Sequence, residues 1–200
     1  MLAASAWARQ QANFACAQKG TTLIEVLITI LILAFGLLGL AGMLSQTQKM
    51  EYESFQRAQA VLLVGEMVDR ISANRINAPS YVMPVGTTVG TGSVDAPCPQ
   101  TPIADRYLCE WTRSLKGSTE TLGNASVGAM NGARGCIAQL QPPDPAVGIC
   151  KPGIYQVSVA WQGLYPTKAQ AIACGQGLYG GDDSLRRSIS SQVSISLPGC

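Results

Sequence analysis

The feature that most constrains this chain is an uncharged apolar run of 19 residues. From Val26 to Leu44 no residue carries a charge, and Thr29 holds the only hydrogen-bonding side chain. A helix needs about 20 consecutive apolar residues to cross a bilayer, and a run this long is rarely part of a soluble core. The run therefore predicts a membrane-spanning helix over about residues 23–44.

Charges on either side of the run predict its orientation. Residues 1–20 contain Arg9 and Lys19 and no acidic residue, and the next basic residue is Lys49. Because positive flanks stay on the cytoplasmic side, the short N-terminal tail is predicted to be cytoplasmic and the body of the chain exported. An ordinary secretory signal, cut after Gly39-Leu40-Ala41, is the alternative. The run is longer than the 7–15 residues of a signal core, and Glu25 lies at its edge, so the anchor is favoured.

The boundary of the run carries a specific motif. Residues 19–27 read Lys-Gly-Thr-Thr-Leu-Ile-Glu-Val-Leu, after a leader with basic residues and no acid. This segment resembles the processing signal of type IV pilins and related pseudopilins. The resemblance implies that a prepilin peptidase cuts between Gly20 and Thr21 and N-methylates the new amine of Thr21. It also implies a pilin-like fold. The sequence offers no nucleophile–base pair that would support catalysis, so no enzymatic activity is expected.

The charge of Glu25 can be explained by a pairing with the new N-terminus. Cleavage would free an ammonium group at Thr21, one helical turn away on the same face. In an assembling filament the Glu25 carboxylate of one subunit would pair with the terminal amine of a neighbour. An unpaired charge in hydrocarbon costs several kcal/mol, so this pairing would favour one axial register. The alternative is that Glu25 reaches to the lipid headgroups.

A second, amphipathic stretch continues the helix to about residue 75. Asn74, Asn77 and Pro79 are expected to end it. The apolar residues of this stretch are interpreted as one stripe that covers the rest of the chain: Phe55, Ala58, Leu62, Val68 and Ile71. In the apolar half, Gly36, Gly39 and Gly42 suggest either a point of unwinding in an assembled filament, as the resemblance implies, or close packing against neighbours.

The remaining chain predicts a small antiparallel sheet, and therefore an α+β fold. Thr101-Pro102 is expected to start a short helix that Gly117 closes. Its predicted apolar face consists of Ile103, Tyr107, Leu108, Trp111 and Leu115. Alternating patterns predict strands over residues 136–140, 154–161 and 191–197. The resulting division is a cleaved leader (1–20), a long helix (21–75) and a disulfide-rich periplasmic head (76–200).

Cysteine usage agrees with export. Cys16 lies in the leader, and six cysteines remain: Cys98, Cys109, Cys136, Cys150, Cys174 and Cys200. An even number in an oxidising compartment predicts three disulfides, for which 15 pairings exist. Pairs that close local loops are preferred here: Cys98–Cys109, Cys136–Cys150 and Cys174–Cys200.

Several classes of site are disfavoured. With no histidine and no CxxC motif the chain offers no histidine-based catalytic dyad or zinc site, and no cofactor is expected. The formal net charge of +2 gives no footprint for nucleic acid. Asp182-Asp183 is interpreted as a solvated turn, and Arg186-Arg187 as an exposed edge. The sequon Asn124-Ala125-Ser126 is interpreted as a chance match.

The head favours one branch of the pilin-like family. Residues 155–163, with Gly135-Cys136-Ile137, Cys174-Gly175 and Arg186-Arg187, resemble minor pilins of the PilV type (type IV pilus modification protein). That resemblance implies an initiating or tip complex with other minor pilins and the major pilin, built at an inner-membrane assembly platform. It implies a role in attachment and twitching motility. The alternatives are a pseudopilin of a type II secretion system and a membrane-anchored binding domain that never polymerises.

Overall fold

The structure is a computed structural model that describes residues 20–94, 96–117, 121–122, 125–126, 130–146 and 150–197. Leader residues 1–19, Asn124 and Cys200 lie outside these residues. The described residues fall into two compact units, one ending at Gln46 and the other beginning at Thr47. The observed elements confirm the predicted α+β class.

A single helix, α1 (Leu23–Ala73), contributes to both units. Its bounds lie two residues inside those predicted at each end. After Ala73 the chain tightens into a 3-10 helix, Arg75–Tyr81, where Asn77 departs from helical geometry and Pro79 lies inside the turn. Pro79 has no N–H to donate to the carbonyl oxygen of Arg75, so a regular α-helix could not continue unbroken through this segment.

The second unit buries a different face of α1 from the one predicted. Positions four and three residues apart form the buried stripe: Gln56, Ala60, Leu63, Val64, Met67 and Ile71. Of the predicted stripe, Ile71 is buried and Val68 packs against the core, but Phe55, Ala58 and Leu62 are exposed. The helix carries two apolar faces, and the head covers only one.

An antiparallel sheet forms the body of the second unit. Its strands follow the order β1 (Val89–Gly90), β4 (Arg134–Gln141), β5 (Gly153–Gln162) and β6 (Arg186–Ile195). A separate two-stranded ribbon joins β2 (Thr121–Leu122) to β3 (Ala125–Ser126). The three predicted strands correspond to β4, β5 and β6, although β6 begins five residues earlier than expected.

The short helix α2 (Ile103–Leu115) packs against β4 through its tryptophan. Trp111 and Leu115 are fully buried, as the predicted face requires, and Gly117 follows at φ 68°. The indole Nε1–H of Trp111 donates a hydrogen bond of 2.9 Å to the carbonyl oxygen of Leu63 in α1. The apolar cores of α1, α2 and the sheet therefore form one cluster.

Two disulfides join described cysteines. Cys98 is bonded to Cys109, the predicted pair. Cys136, however, is bonded to Cys174, so the predicted pairs Cys136–Cys150 and Cys174–Cys200 are wrong. Cys136 lies on β4, and the loop that carries Cys174 folds back across the sheet, so closeness in sequence misled the choice. Cys150 is also disulfide-bonded.

Candidate functional site

The predicted processing point lies at the start of α1. Gly20, Thr21 and Thr22 are exposed and not helical, and the helix begins at Leu23. The backbone N–H of Glu25 donates a 3.0 Å hydrogen bond to the carbonyl oxygen of Thr22, which forms the first helical turn. The Gly20–Thr21 peptide bond is thus in a segment that helical hydrogen bonds do not restrain. Such a segment is accessible to a peptidase.

Glu25 occupies the first turn of α1. An acidic side chain there interacts favourably with the positive end of the helix dipole. Among the described residues no salt bridge involves Glu25, and the residue is exposed. Its carboxylate is therefore available to a group from outside the chain.

The apolar run forms the surface of α1 in the first unit. Every residue from Val26 to Leu44 is exposed, and the large side chains keep between 44% (Val26) and 72% (Met43) of their surface. Among the described helices, only α1 is long and apolar enough to cross a membrane. Gly36, Gly39 and Gly42 lie within this continuous helix, and a Cβ at any of them would meet no neighbour. The apolar half of α1 therefore has to be covered by lipid or by other protein chains.

A network of charged residues fastens α2 to α1 in the head. Arg70 pairs with Glu66 in its own helix and with Glu110 of α2, each at 2.6 Å. The Arg70 guanidinium also lies 5.1 Å from the ring centroid of Tyr107. Helical spacing indicates the Glu66–Arg70 pair, but the Glu110 partner is 40 residues away.

Arg186 and Asp183 correct two further expectations. Arg186 is buried, with 2% of its surface exposed, and Asp183 is buried beside it. The Arg186 guanidinium donates to the backbone carbonyls of Gln170 (2.8 Å), Cys174 (3.2 Å) and Ile172, and its Nε lies 3.3 Å from Asp183 Oδ2. A single buried side chain therefore holds the loop that carries Cys174. Asp182, in contrast, lies in an exposed turn, where the N–H of Ser184 lowers the pKa of its carboxyl.

Tyr179 fixes the other end of the same loop. Its hydroxyl lies 2.7 Å from the carbonyl oxygen of Gly132 and 3.0 Å from that of Ala160, and shares its proton between them. Burial raises the pKa of Tyr179 well above its ordinary value. This group is structural, because its hydroxyl is engaged with backbone atoms of the sheet.

The described part of the head includes two cavities. One, of about 420 Å³, lies over the Cys136–Cys174 disulfide between the loops near Val85 and Leu178. The other, of about 530 Å³, lies between α1 and the beginning of β6, beside Glu53, Arg57 and Arg187. Within the described part of the chain, no group of three or more histidine, cysteine, aspartate or glutamate side chains is placed to hold a metal ion.

The similarity of this chain to known proteins lies at its N-terminus. Residues 16–41 match the family model of the prokaryotic N-terminal methylation motif. This motif indicates a type IV pilin-like or pseudopilin-like protein, and its family is structural rather than enzymatic. Gly20, Thr21 and Glu25 all fall inside the matched segment. No curated protein and no solved structure matches the chain.

Motif and structure together suit an inner-membrane anchor. The match spans residues 16–41, so it covers the last five residues of the leader and most of the apolar run but none of the head. The pilin-like character thus rests on the N-terminal segment together with the arrangement of a long helix and an antiparallel sheet.

Proposed function

We propose that this protein is a minor pilin, which joins other minor pilins and the major pilin in the initiating or tip complex of a type IV pilus. In this role it supports pilus assembly, surface attachment and twitching motility. It is made as a single-pass inner-membrane protein with its head in the periplasm. A prepilin peptidase removes residues 1–20 and methylates Thr21, and the assembly platform then moves the subunit into the fibre.

The observation that carries the proposal is the second apolar face of α1. In the head-bearing unit, Phe55 keeps 62% and Leu62 keeps 67% of its surface exposed, although both belong to a helix whose opposite face is fully packed. Exposed apolar side chains at positions i and i+7 form a stripe that suits packing against another helix. Such a stripe outside the membrane-spanning half of α1 is a surface at which the helix of another subunit can pack.

Glu25 supports the same proposal from the other end of α1. Its exposed carboxylate lies four residues after Thr21, and the charge is costly to leave unpaired in hydrocarbon. In the proposed assembly the terminal amine of a neighbouring subunit neutralises it. This pairing selects the axial register at which subunits join.

Two measurements test the proposal: the chemical state of the mature N-terminus, and the incorporation of Glu25 variants into pili. Mass spectrometry of the mature chain is expected to find an N-methylated Thr21 at its start. The variant Glu25→Ala is expected to be processed and yet to be lost from sheared pili, while Glu51→Ala, which alters an exposed acid of α1, is expected to be incorporated normally. Normal incorporation of Glu25→Ala would refute the register role.

A deletion strain identifies the system. Loss of twitching motility with normal secretion of exoproteins is the expected result. The reverse outcome would assign the protein to a type II secretion pseudopilus. An unprocessed chain that stays in the membrane, with both activities intact, would indicate a non-polymerising anchor.

A further inference from the structure

The disulfides of the head do not follow the order of the cysteines along the chain. Cys98 and Cys109 are successive cysteines with a separation of 11 residues, whereas Cys136 is bonded to Cys174 across a separation of 38 residues. Cys150 lies between these two bonded cysteines, only 14 positions after Cys136. The native partner of Cys136 is thus not the next cysteine in the sequence.

In the unfolded chain Cys136 meets Cys150 more readily than it meets Cys174. The entropic cost of closing a flexible loop rises with the logarithm of its length, which favours the 14-residue loop over the 38-residue loop about fourfold. Cys150 also becomes available before Cys174, because synthesis starts at the N-terminus. A Cys136–Cys150 bond is therefore the expected early product of oxidation.

The contacts that bring Cys174 to Cys136 need the last strand of the sheet. Arg186, at the start of β6, donates to the carbonyl oxygen of Cys174 itself and to two other carbonyl oxygens of the same loop. The Tyr179 hydroxyl lies 3.0 Å from the carbonyl oxygen of Ala160 in β5. Before β6 joins β5, Arg186 cannot hold this loop across the sheet. The folded head, rather than the local sequence, therefore selects the native pair.

We infer that the head matures by thiol–disulfide exchange, in which Cys136 changes its partner from Cys150 to Cys174. An external thiolate, that of glutathione or of a disulfide isomerase, attacks Sγ of Cys136; the bond to Cys150 breaks, and Cys150 leaves as a thiolate. The Cys174 thiolate then attacks Sγ of Cys136 in this mixed disulfide and expels the external thiolate. The external thiol is recovered unchanged, so the two steps need no oxidant.

The freed Cys150 then enters its own native disulfide. That bond takes up one equivalent of a disulfide oxidant such as oxidised glutathione, which is reduced to two thiols as the new bond forms. The inference concerns the head alone, and it holds whether or not the protein enters a filament.

Trapping experiments on the full-length protein in detergent test the inference, in a Cys16→Ser background that removes the leader thiol. The reduced, denatured protein is diluted into reduced and oxidised glutathione, quenched with an alkylating reagent at successive times and mapped without reduction. Early samples are expected to contain about four times more Cys136–Cys150 than Cys136–Cys174, and late samples only Cys136–Cys174. When excess diamide replaces glutathione, no thiol is present to exchange, and the Cys136–Cys150 bond is expected to persist.

A variant without the competing cysteine shows whether exchange is the reason for the need for thiol. With Cys150→Ser and Cys200→Ser combined, Cys136 and Cys174 are the only cysteines after Cys109. The native bond is then expected to form as fully in diamide as in glutathione. The matched control combines Cys98→Ser with Cys109→Ser, which removes a disulfide but keeps the competitor, and it is expected to retain the need for free thiol.

Arg186→Lys tests the role of the folded loop. This change weakens the contacts that hold Cys174, so the Cys136–Cys150 species is expected to appear at the same rate and to last longer. The inference is overturned if Cys136–Cys174 forms with no Cys136–Cys150 at any time in the parent protein, which requires no variant to fold. It is also overturned if the variant without Cys150 and Cys200 needs free thiol as much as the parent does.

Discussion

Trp111 occupies space that is free only because residue 135 is glycine. A Cβ built on Gly135 would lie 2.3 Å from Cη2 and 2.4 Å from Cζ3 of the Trp111 ring. Gly135 lies on β4 where the strand pairs with both β1 and β5, so the backbone has little freedom to retreat. The contact joins α2, the sheet and, through the indole N–H, α1.

Gly135→Ala is therefore expected to destabilise the head by about 3 kcal/mol, because either the Trp111 ring or β4 has to move. Denaturant unfolding followed by tryptophan fluorescence measures the change. Gly65→Ala is the matched control: it lies within α1, where a Cβ meets nothing within 4 Å. That variant is expected to gain about 0.5–1 kcal/mol from helix propensity. Equal stability of the two variants would contradict this account of the packing.

Arg186→Lys is expected to destabilise the head by about 3 kcal/mol even though the charge is kept. Lysine has no planar fork to reach the three carbonyl oxygens and Asp183 at once, so some of these buried acceptors would lose their donor. Hydrogen exchange should show faster exchange in the loop around Cys174. Arg57→Lys, at an exposed position of α1, serves as the control and should change neither stability nor exchange. Unchanged exchange in Arg186→Lys would show that other contacts hold the loop.

The two apolar faces of α1 are expected to respond differently to serine. Leu63 is 6% exposed, so Leu63→Ser should cost at least about 3 kcal/mol of folding free energy. Leu62→Ser, one position away, should leave the melting temperature nearly unchanged and yet reduce incorporation into pili. Phe55→Ser should behave like Leu62→Ser. Full incorporation of both exposed-face variants would remove the main support for the proposed assembly.

Peptide mapping without reduction is expected to find Cys98 linked to Cys109 and Cys136 linked to Cys174. These two pairs leave Cys150 and Cys200 as the remaining cysteines of the mature chain, and we expect them to form the third disulfide. Replacing both Cys136 and Cys174 with serine should cost about 2–5 kcal/mol, because the bond closes a 38-residue separation. Recovery of a peptide containing Cys136 bonded to Cys150 would contradict the pairing.

Stability should fall at alkaline pH because of Tyr179. Burial raises its pKa in the folded head above the unfolded value near 10, so the folded state holds this proton more tightly than the unfolded state. The free energy of unfolding should thus be insensitive to this group below pH 10 and decline above it. Tyr179→Phe should be less stable at neutral pH, since two carbonyls lose their donor, and should show a shallower alkaline decline. An identical decline in both proteins would assign the effect to other groups.

The sequence alone was sufficient wherever the deciding interactions are local. The apolar run, the motif around Gly20 and Glu25, and the alternation in β5 each depend on residues a few positions apart. The predicted face of α2 is packed at Trp111 and Leu115, which are fully buried, whereas Ile103 at its first turn keeps 44% of its surface exposed.

The tertiary structure decided what depends on distant partners. Helix α1 has two apolar faces, and hydropathy cannot tell which one the head covers, so Phe55 and Leu62 were assigned to the buried side. Arg186 was expected at the surface because isolated arginines are costly to bury, and only the folded loop supplies its carbonyls and Asp183. Cys136 finds Cys174 rather than Cys150 because the loop returns across the sheet. In each case the free energy comes from contacts between residues far apart in sequence.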